Sequence, residues 1–315
     1  MELMGNLTIE LFGVKFHNPV WVASGTFSYG KEMAAFYDLN ELGAIVTKTI
    51  TKEPRQGNPP PRLAETASGM LNTIGLQNPG IDKFISEEMA FLTQYEVPVI
   101  ANIAGHGAAE FAELAGKLDP IPKVAAIELN LSCPNVAGGL DFSTEAKQCN
   151  DVIALVRKQT KKPIIAKLSP NVTDIGEMAK AAEGAGANAI SAINTILGMS
   201  IDIWRKKTKL SAGMGGLSGP AIKPVAVRMV WQIAQAVKIP VIGIGGIMTW
   251  EDVIEFFLAG ASAIQVGTAN FVDPMAPIKI ADGIEKYLTS MKVGSVRDLV
   301  GKVTIPFSPV HATHN

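Results

Sequence analysis

The stretch Val124-Ala125-Ala126-Ile127-Glu128-Leu129 is a short β-prone segment that leads into a loop and then into a helical pattern beginning at Ser143. The same succession of strand, turn and helix recurs along the chain from residue 20. Most of the strand segments are continuously apolar rather than alternating, which is typical of parallel strands buried on both faces. The predicted strands are Val20–Ala23, Ala44–Thr47, Val97–Asn102, Ala125–Leu129, Pro163–Lys167, Ala189–Ile193, Val241–Ile244 and Ala263–Val266.

Helical patterns lie between these strands, and they include Ala108–Leu118, Ser143–Gln159, Ile175–Gly184, Pro220–Val237 and Trp250–Leu258. Strands that alternate with helices over 315 residues predict an α/β fold, a single (β/α)8 TIM barrel. A doubly wound open sheet is the structural alternative. No linker marks a second domain, so residues 1–315 are expected to form one barrel domain with a loose C-terminal tail at 303–315. We expect no metal site from His311 and His314 in that tail.

Two stretches interrupt the rhythm, at residues 50–80 and 194–219. They are predicted to be long loops without regular structure. Because both follow the carboxyl ends of strands, both are expected on the barrel face where active sites lie. The basic run Trp204–Lys209 in the second insertion is predicted to be a solvated hairpin or loop rather than a binding patch.

The charge of the chain is nearly balanced, with 28 Lys and Arg residues against 29 Asp and Glu residues. This balance argues against a nucleic-acid partner. Two cysteines, Cys133 and Cys149, are too few for a disulfide framework or a thiolate-ligated cluster. The N-terminus lacks a signal-peptide pattern, and no apolar run approaches the roughly 18 residues that a membrane helix needs. We therefore expect a cytoplasmic protein that binds neither nucleic acid nor membrane.

A thiol follows the fourth predicted strand, in the sequence Asn130-Leu131-Ser132-Cys133-Pro134-Asn135. It lies on a loop at the carboxyl end of a strand and is flanked by two asparagine amides. A cysteine in a polar or cationic setting can act as a base or nucleophile near neutral pH. The alternative is that Cys133 is a small buried hydrophobe, as free cysteines commonly are.

Polar side chains also follow the other predicted strands, at the ends where barrel enzymes place catalysis. Buried ammonium and amide groups are costly unless they are paired, so packing alone does not explain such a set. The sequence therefore predicts a ligand site at this face of the barrel. The residues are Ser24, Lys48, Thr49, Asn102, Asn130, Lys167, Asn194 and Thr195.

Glycines follow the last two strands, in Gly243-Ile244-Gly245-Gly246 and Gly267-Thr268-Ala269. Their backbone N–H groups, with the positive ends of the following helices, are expected to hold a phosphate. Ordinary turns are the alternative for each pair. A dinucleotide fingerprint is not predicted, because Gly184-Ala185-Gly186-Ala187-Asn188-Ala189 follows a helix and enters a strand, the reverse of the required order. Gly105-His106-Gly107 lacks the third small residue.

Nine motifs have to be explained together: Asn18-Pro19 with Ala23-Ser24-Gly25, Thr47-Lys48-Thr49, Asn58 with Pro61-Arg62, Leu71-Asn72 with Gly75-Leu76-Gln77-Asn78-Pro79-Gly80, Asn130-Leu131-Ser132-Cys133-Pro134-Asn135, Lys167-Leu168-Ser169-Pro170, Asn194-Thr195, Gly216-Leu217-Ser218-Gly219 and Gly245-Gly246. In this combination the chain resembles the class 1 dihydroorotate dehydrogenases, FMN-dependent barrel enzymes of pyrimidine biosynthesis. The resemblance covers nearly the whole chain, and several of the motifs are specific.

The resemblance implies that dihydroorotate is oxidised to orotate, with Cys133, Lys48 and Lys167 as the catalytic residues. Cys133 would remove a proton from C5 of dihydroorotate, and the hydride at C6 would go to N5 of FMN. Lys48 would lie between flavin and substrate, and Lys167 would stabilise negative charge at the pyrimidine end of the reduced flavin. Residues 136–140 would form a lid over the base.

The resemblance also implies two sets of binding residues and no metal. One FMN per chain would be bound by Ser24, Lys48, Thr49, Asn102, Asn130, Lys167, Ile193, Gly219, Gly245, Gly246, Gly267 and Thr268. The substrate would be bound by Lys48, Asn72, Thr73, Ile74, Gly75, Leu76, Asn130, Asn194 and Thr195.

The membrane-bound class 2 uses serine as the base and carries an N-terminal extension. Because this chain has cysteine at that position and shows no such extension, class 1 is expected. Within class 1, three segments resemble class 1B more than the fumarate-linked class 1A: Thr47-Lys48-Thr49, Met70-Leu71-Asn72 and Ala101–Gly105. Class 1A remains the alternative. A 1B chain passes electrons to NAD through a partner subunit that carries FAD and a 2Fe–2S cluster. The implied assembly is a homodimer of this chain within a heterotetramer.

Three other functions stay open from the residues. Another FMN barrel oxidoreductase acting on pyrimidines would share Lys167 and the glycines. A barrel lyase or isomerase would use Lys48 or Lys167 as a Schiff base and the glycines for a substrate phosphate. A non-catalytic partner subunit with a decayed site is the third, and the presence of Cys133, Lys48 and Lys167 argues against it.

Overall fold

Eight parallel strands close into a barrel in the computed structural model, which describes residues 6–131 and 145–306. The strands pair in chain order, and the last pairs with the first through Ile264 and Val20. This closure confirms the (β/α)8 barrel and excludes the open sheet. The barrel strands are β1 (Val20–Val22), β2 (Ala44–Val46), β3 (Val99–Ile103), β4 (Val124–Asn130), β5 (Ile164–Lys167), β6 (Ala189–Ala192), β7 (Val241–Ile244) and β8 (Ala261–Val266).

The barrel strands are buried on both faces. Every residue of β1, β2, β3, β5, β6 and β7 is buried, because one face points into the barrel and the other lies beneath the helices. This double burial explains why the segments are continuously apolar. The observed strands begin and end within two residues of the predicted ones.

Six longer helices surround the barrel, and each packs against the next one along the chain. The last of them also contacts β1, so the ring of helices follows the closure of the strands. The first five of these helices were predicted from the sequence, and the sixth was not. The second was predicted to begin at Ser143, which lies outside the described residues. The helices are α1 (Ala108–Leu118), α2 (Ala146–Arg157), α3 (Ile175–Gly184), α4 (Lys223–Ala236), α5 (Trp250–Ala259) and α6 (Ala276–Met291).

Shorter elements complete the chain. A hairpin of Ile9–Leu11 and Val14–Phe16 precedes β1. A helical segment with a π turn in its middle precedes β3, and it consists of Ile81–Lys83, Phe84–Glu88 and Met89–Leu92. The remaining short helices are Ala269–Val272 and the 3-10 turns Met33–Ala35, Leu39–Glu41, Pro220–Ile222 and Val296–Leu299.

The two insertions pair with each other, and the prediction that they lack regular structure is wrong. They form a four-stranded antiparallel sheet in the order Ile196–Met199, Met214–Ser218, Gly69–Asn72 and Leu63–Thr66, which we call the cap sheet. Each insertion contributes one antiparallel strand pair of its own, and the central pairing joins Gly216 to Asn72, residues far apart in the sequence, so neither insertion alone shows the complete sheet.

The basic run 204–209 belongs to a small hairpin formed by Ile201–Asp202 and Lys207–Thr208. Trp204 at its tip is 89% exposed. The prediction of a solvated hairpin or loop is therefore confirmed.

Beyond the last 3-10 turn, the described chain is tied to α5. The N–H of Gly301 donates to the carbonyl of Phe257, and that of Val303 donates to the carbonyl of Leu258 at 3.1 Å. Residues 307–315 of the predicted tail, with its two histidines, lie outside the described residues. Among residues 6–131 and 145–306, no helix combines the length and apolar character needed to cross a membrane.

Candidate active site

A cleft opens at the carboxyl ends of the barrel strands and is bordered by the cap sheet. Most of the predicted site residues line it. They are Ser24, Lys48, Thr49, Asn72, Ile74, Gly75, Leu76, Asn130, Lys167, Ile193, Asn194, Thr195, Gly219, Gly245, Gly246, Gly267 and Thr268.

Three predicted site residues are not part of this lining. Asn102 and Thr73 are fully buried behind it. Asn102 donates to Glu128, and Thr73 accepts from Asn58, so the side chains of both make their hydrogen bonds to residues outside the lining. Cys133, the predicted base, lies outside the described residues together with the predicted lid at 136–140.

A polar cluster lies beneath the cleft in the barrel core. The carboxylate of Glu128 in β4 has no solvent exposure. One of its oxygens accepts from Nδ2 of Asn102 at 2.6 Å, and the other accepts from Nε2 of Gln265 at 2.7 Å. Because β4 and β8 stand on opposite sides of the eight-stranded barrel, the contact between Glu128 and Gln265 crosses the barrel interior.

Lys167 joins this cluster to the cleft. It is the last residue of β5, and only 5% of its surface is exposed. Its Nζ lies 3.9 Å from Oε1 of Glu128 and donates to Oγ of Ser24 at 3.4 Å. A buried ammonium is costly without a counter-charge, and Glu128 supplies one. Strand position and ion pairing together hold a positive charge at the floor of the cleft.

Hydrogen bonds join polar side chains from three strand ends. Nδ2 of Asn130 donates to Oγ1 of Thr49 at 3.4 Å, and Nδ2 of Asn194 donates to Oδ1 of Asn130 at 3.2 Å. The N–H of Thr195 donates to Oδ1 of Asn194 at 2.9 Å. The site therefore holds neighbouring amides in fixed orientations, which suits a planar ligand with carbonyl and N–H edges.

The cap sheet supplies the opposite wall of the cleft. Nδ2 of Asn72 donates to the carbonyl of Gly216 at 3.2 Å, across the central pair of strands. Gly75 and Leu76 both have positive φ, at +73° and +56°. A Cβ at Gly75 would lie 2.6 Å from the backbone nitrogen of Asn58, so only glycine fits this turn. The tight turn brings backbone atoms against the ligand space.

The glycines after β7 form a sharp turn at the other end of the cleft. Gly245 and Gly246 have φ of +124° and +76°, and a Cβ at Gly246 would lie 2.6 Å from the backbone nitrogen of Lys223. After the neighbouring strand β8, Oγ1 of Thr268 donates to Oγ of Ser218 at 2.8 Å. The two predicted phosphate-binding turns thus line the same cleft.

The helix that follows β7 does not offer an open N-terminus. The side chains of Thr249 and Asp252 cap α5 reciprocally, and Asp252 also accepts from the N–H of Met248 at 2.8 Å. The expected contribution of the positive end of α5 to phosphate binding is therefore not supported by the structure.

The other cysteine is not a candidate for the chemistry. Cys149 in α2 is fully buried, and burial raises the pKa of its thiol to about 12. A thiol with so high a pKa is not ionised near neutral pH. Its role is packing.

Sequence analysis missed two polar residues of the core, Glu128 and Gln265. Both belong to largely apolar barrel strands and are fully buried. A carboxylate inside a continuously apolar strand was the available signal, because such a group needs buried partners. Its partners Asn102 and Gln265 lie on other strands, so the sequence did not identify them.

Comparisons with known proteins agree with this geometry. The family described as "Dihydroorotate dehydrogenase" matches residues 6–288. The chain is 56% identical over 297 residues to a protein of Geotalea uraniireducens (strain Rf4), an alignment that covers 94% of this chain and 97% of that protein. It is 54% identical over 301 residues to a protein of Geotalea daltonii, with 95% of this chain and 99% of that protein covered. Both relatives bear the name "Dihydroorotate dehydrogenase B (NAD(+)), catalytic subunit".

A solved structure shares the fold. The crystal structure of DHODH from Eimeria tenella in complex with ferulenol matches with a TM-score of 0.80 at 21% identity, over 94% of this chain and 88% of that one. The family resemblance read from the sequence motifs is confirmed. The chain belongs to the dihydroorotate dehydrogenase family.

Proposed function

We propose that this chain is the catalytic subunit of a class 1B dihydroorotate dehydrogenase, which oxidises dihydroorotate to orotate in pyrimidine biosynthesis. Relatives between 51% and 56% identical bear the name of the NAD-linked catalytic subunit, which supports the subclass. The observation that carries the proposal is one cleft in which two lysines, Lys48 and Lys167, meet the amides of Asn72, Asn130 and Asn194. The same proposal includes the cytoplasmic location expected from the sequence.

FMN fits the chemistry of this cleft at both ends. The turn at Gly245 and Gly246 leaves no room for side chains and presents backbone to a phosphate, beside the Thr268 hydroxyl. At the floor, the Lys167 ammonium and the Asn130 amide match the acceptor and donor edge of a flavin pyrimidine ring. When bound, FMN supplies the hydride acceptor of the reaction.

Residues of the chain itself stabilise the reduced cofactor and bind the substrate. Lys167 places a positive charge against the ring that gains electrons. Asn72, Asn130, Asn194 and Thr195 bind the carboxylate and amide edges of dihydroorotate. Lys48 follows β2, is half-buried at the cleft, and lies between the two ligands. All of these side chains belong to the cleft lining.

Cys133 completes the chemistry as the base that takes the proton from C5 of dihydroorotate. Its motif places it three residues after Asn130, the last residue of β4 and a member of the cleft lining. Three residues span at most about 10 Å, a distance that allows the thiol to reach a ligand bound between Asn130 and Lys48.

Electron transfer to NAD requires a partner in this proposal. Two cysteines cannot ligate a 2Fe–2S cluster, which needs four protein ligands. The name "catalytic subunit" of the relatives supports a second subunit, which would carry FAD and the cluster. We propose a homodimer of this chain flanked by two such subunits.

The test is an anaerobic titration of the purified chain with dihydroorotate while the visible flavin band is recorded. Bleaching of the band supports bound flavin and dihydroorotate oxidation together. A yellow protein that stays yellow with dihydroorotate but turns over uracil or thymine would point to another FMN barrel oxidoreductase. A colourless protein that borohydride traps with its substrate would point to a Schiff-base lyase.

The acceptor is tested separately, with the chain alone and with its co-expressed partner subunit. Reduction of NAD that depends on the partner supports class 1B. Fumarate reduction by the chain alone would support class 1A instead.

A further inference from the structure

The carboxylate of Glu128 is a charged group fully buried in the described barrel core. It has no solvent exposure and stands in a strand whose other residues are mostly apolar. A buried carboxylate is tolerated when it is paired and hydrogen bonded. Glu128 meets both conditions through Asn102, Gln265 and Lys167, which reach it from three other strands.

The geometry of the pair is asymmetric. Asn102 and Gln265 take the close positions on the two oxygens, at 2.6 Å and 2.7 Å. Nζ of Lys167 stands farther away, at 3.9 Å, and contacts Oγ of Ser24 on the cleft side at 3.4 Å. The ammonium is thus attracted by the carboxylate without being drawn down onto it, and it remains in the cleft lining.

We propose that Glu128 is a positioning residue that holds the Lys167 ammonium at the cleft floor and thereby fixes the positive charge that faces the cofactor ring. This inference rests on the proposed function for the identity of the ligand. Asn102 and Gln265 anchor the carboxylate, so the negative charge stays one layer below the cleft while the positive charge lines it.

The test is a double-mutant cycle on the reduction potential of bound FMN, measured by equilibration with a reference dye and without dihydroorotate. The variants are Glu128→Gln, Lys167→Ala and the double substitution. Without Glu128, the buried ammonium loses its counter-charge and leaves the floor. Because Lys167 is nearer the cleft than Glu128, the net effect of Glu128→Gln is a more negative potential.

The direction reverses when Lys167 is absent. In the Lys167→Ala background, Glu128→Gln removes only a negative charge near the ring, so the potential shifts to a more positive value. A purely structural role for Glu128 would give shifts of the same sign and size in both backgrounds, and that result would overturn the proposal.

A second measurement uses the flavin-free protein. Lys167 acylation by acetic anhydride, followed by mass spectrometry, is expected to be severalfold faster in Glu128→Gln, because the Lys167 side chain is no longer held at the buried floor by the carboxylate and becomes accessible to the reagent. Unchanged acylation would overturn the proposal even if the chain bound no flavin. Failure of dihydroorotate to bleach the flavin would contradict the proposed function alone, since neither measurement uses dihydroorotate.

Two further variants complete the test, one as a matched control and one for the case that Glu128→Gln does not fold. Ser191→Ala is the matched control, because Ser191 pairs with Lys167 in register and its buried Oγ has no hydrogen-bond partner within the described residues. It is expected to leave both measurements unchanged. If Glu128→Gln fails to fold, Gln265→Leu removes one anchor and keeps the charge, and it is expected to give a smaller shift in the same direction. No shift in that variant would count against the proposal.

Discussion

Nδ2 of Asn194 donates to Oδ1 of Asn130 at 3.2 Å, which joins the ends of β6 and β4 past the end of the intervening strand β5. Asn130 in turn donates to Thr49 after β2. This sequence of contacts sets the direction of each amide, so the loss of one amide removes a ligand contact and also releases its neighbour.

Asn194→Ala is expected to raise the KM for dihydroorotate by about 10- to 100-fold, since a hydrogen bond to a charged group contributes about 1.5–3 kcal/mol. Thermal stability should change little, because Asn194 is only half-buried. Steady-state kinetics with the partner subunit give the KM. Gln94→Ala, at an exposed amide, is the control. An unchanged KM would remove Asn194 from the substrate site.

Gly216→Ala is expected to abolish dihydroorotate binding while FMN remains bound. The added Cβ would lie 2.0 Å from Oγ1 of Thr195, so Thr195 has to leave its position in the cleft. Anaerobic flavin bleaching at increasing dihydroorotate reports binding. Gly198→Ala in the adjacent strand is the control, because its Cβ would meet the end of the Leu71 side chain at 3.1 Å and otherwise make an ordinary contact with Leu217 at 3.8 Å. Equal effects of the two substitutions would contradict this reasoning.

Gly246→Ala is expected to lose bound FMN. Its φ of +76° disfavours a side chain, and the added Cβ would lie 2.6 Å from the backbone nitrogen of Lys223. The ratio of flavin to protein absorbance in the purified variant measures the loss. Gly184→Ala, where a Cβ meets nothing within 4 Å, should keep its flavin. Full flavin content in Gly246→Ala would place the phosphate elsewhere.

The barrel strands were predictable because burial on both faces gives each of them a local apolar pattern. Lys167 and Asn130 were identifiable for the same reason, as polar residues that end such patterns. The cap sheet as a whole was not predictable. Its outer strands Leu63–Thr66 and Ile196–Met199 are partly exposed and pair within their own insertions, but the two hairpins are joined only by the pairing of Met214–Ser218 with Gly69–Asn72. Long-range pairing of this kind leaves no periodic signal in either segment.

Glu128 shows a second limit. Its charge is visible in the sequence, but its function depends on contacts with Gln265, 137 residues away, and with Lys167 on the neighbouring strand. Asn102 shows the converse. This residue was predicted from its place near a strand end to contact the cofactor, and in the structure its amide donates to Glu128 behind the cleft lining.

Cys133→Ser is expected to slow flavin reduction by dihydroorotate strongly, with FMN still bound. Serine keeps the size and polarity of the side chain but is a far weaker acid than a thiol, so it does not supply the ionised base near neutral pH. Anaerobic stopped-flow at the flavin band gives the rate, and Cys149→Ser controls for the loss of a thiol elsewhere. Reduction at the parent rate in Cys133→Ser would show that another group is the base.

Asp252→Asn tests the ion pair that closes the N-terminus of α5. Burial raises the pKa of Asp252, but hydrogen bonds from Lys223, Met248 and Thr249 outweigh it and hold this pKa below 3.8. A carboxylate whose pKa is lower in the folded than in the unfolded chain stabilises the fold at pH values above the unfolded pKa. That contribution is lost as the pH falls through the folded pKa. The pKa of Lys223 is raised above 10.5 by Asp252 and Glu255 despite burial, so its contribution is lost only in strongly alkaline solution.

The difference in stability between parent and Asp252→Asn should therefore be constant from about pH 5 to about pH 9 and shrink in acid. At neutral pH the loss of the partly buried ion pair costs about 1 kcal/mol, which lowers the Tm by about 2–4 °C. Thermal unfolding followed by circular dichroism across this range measures it, with the exposed Asp282→Asn as control. A difference that persists undiminished at pH 2 would show that the side chain acts by packing, not by charge.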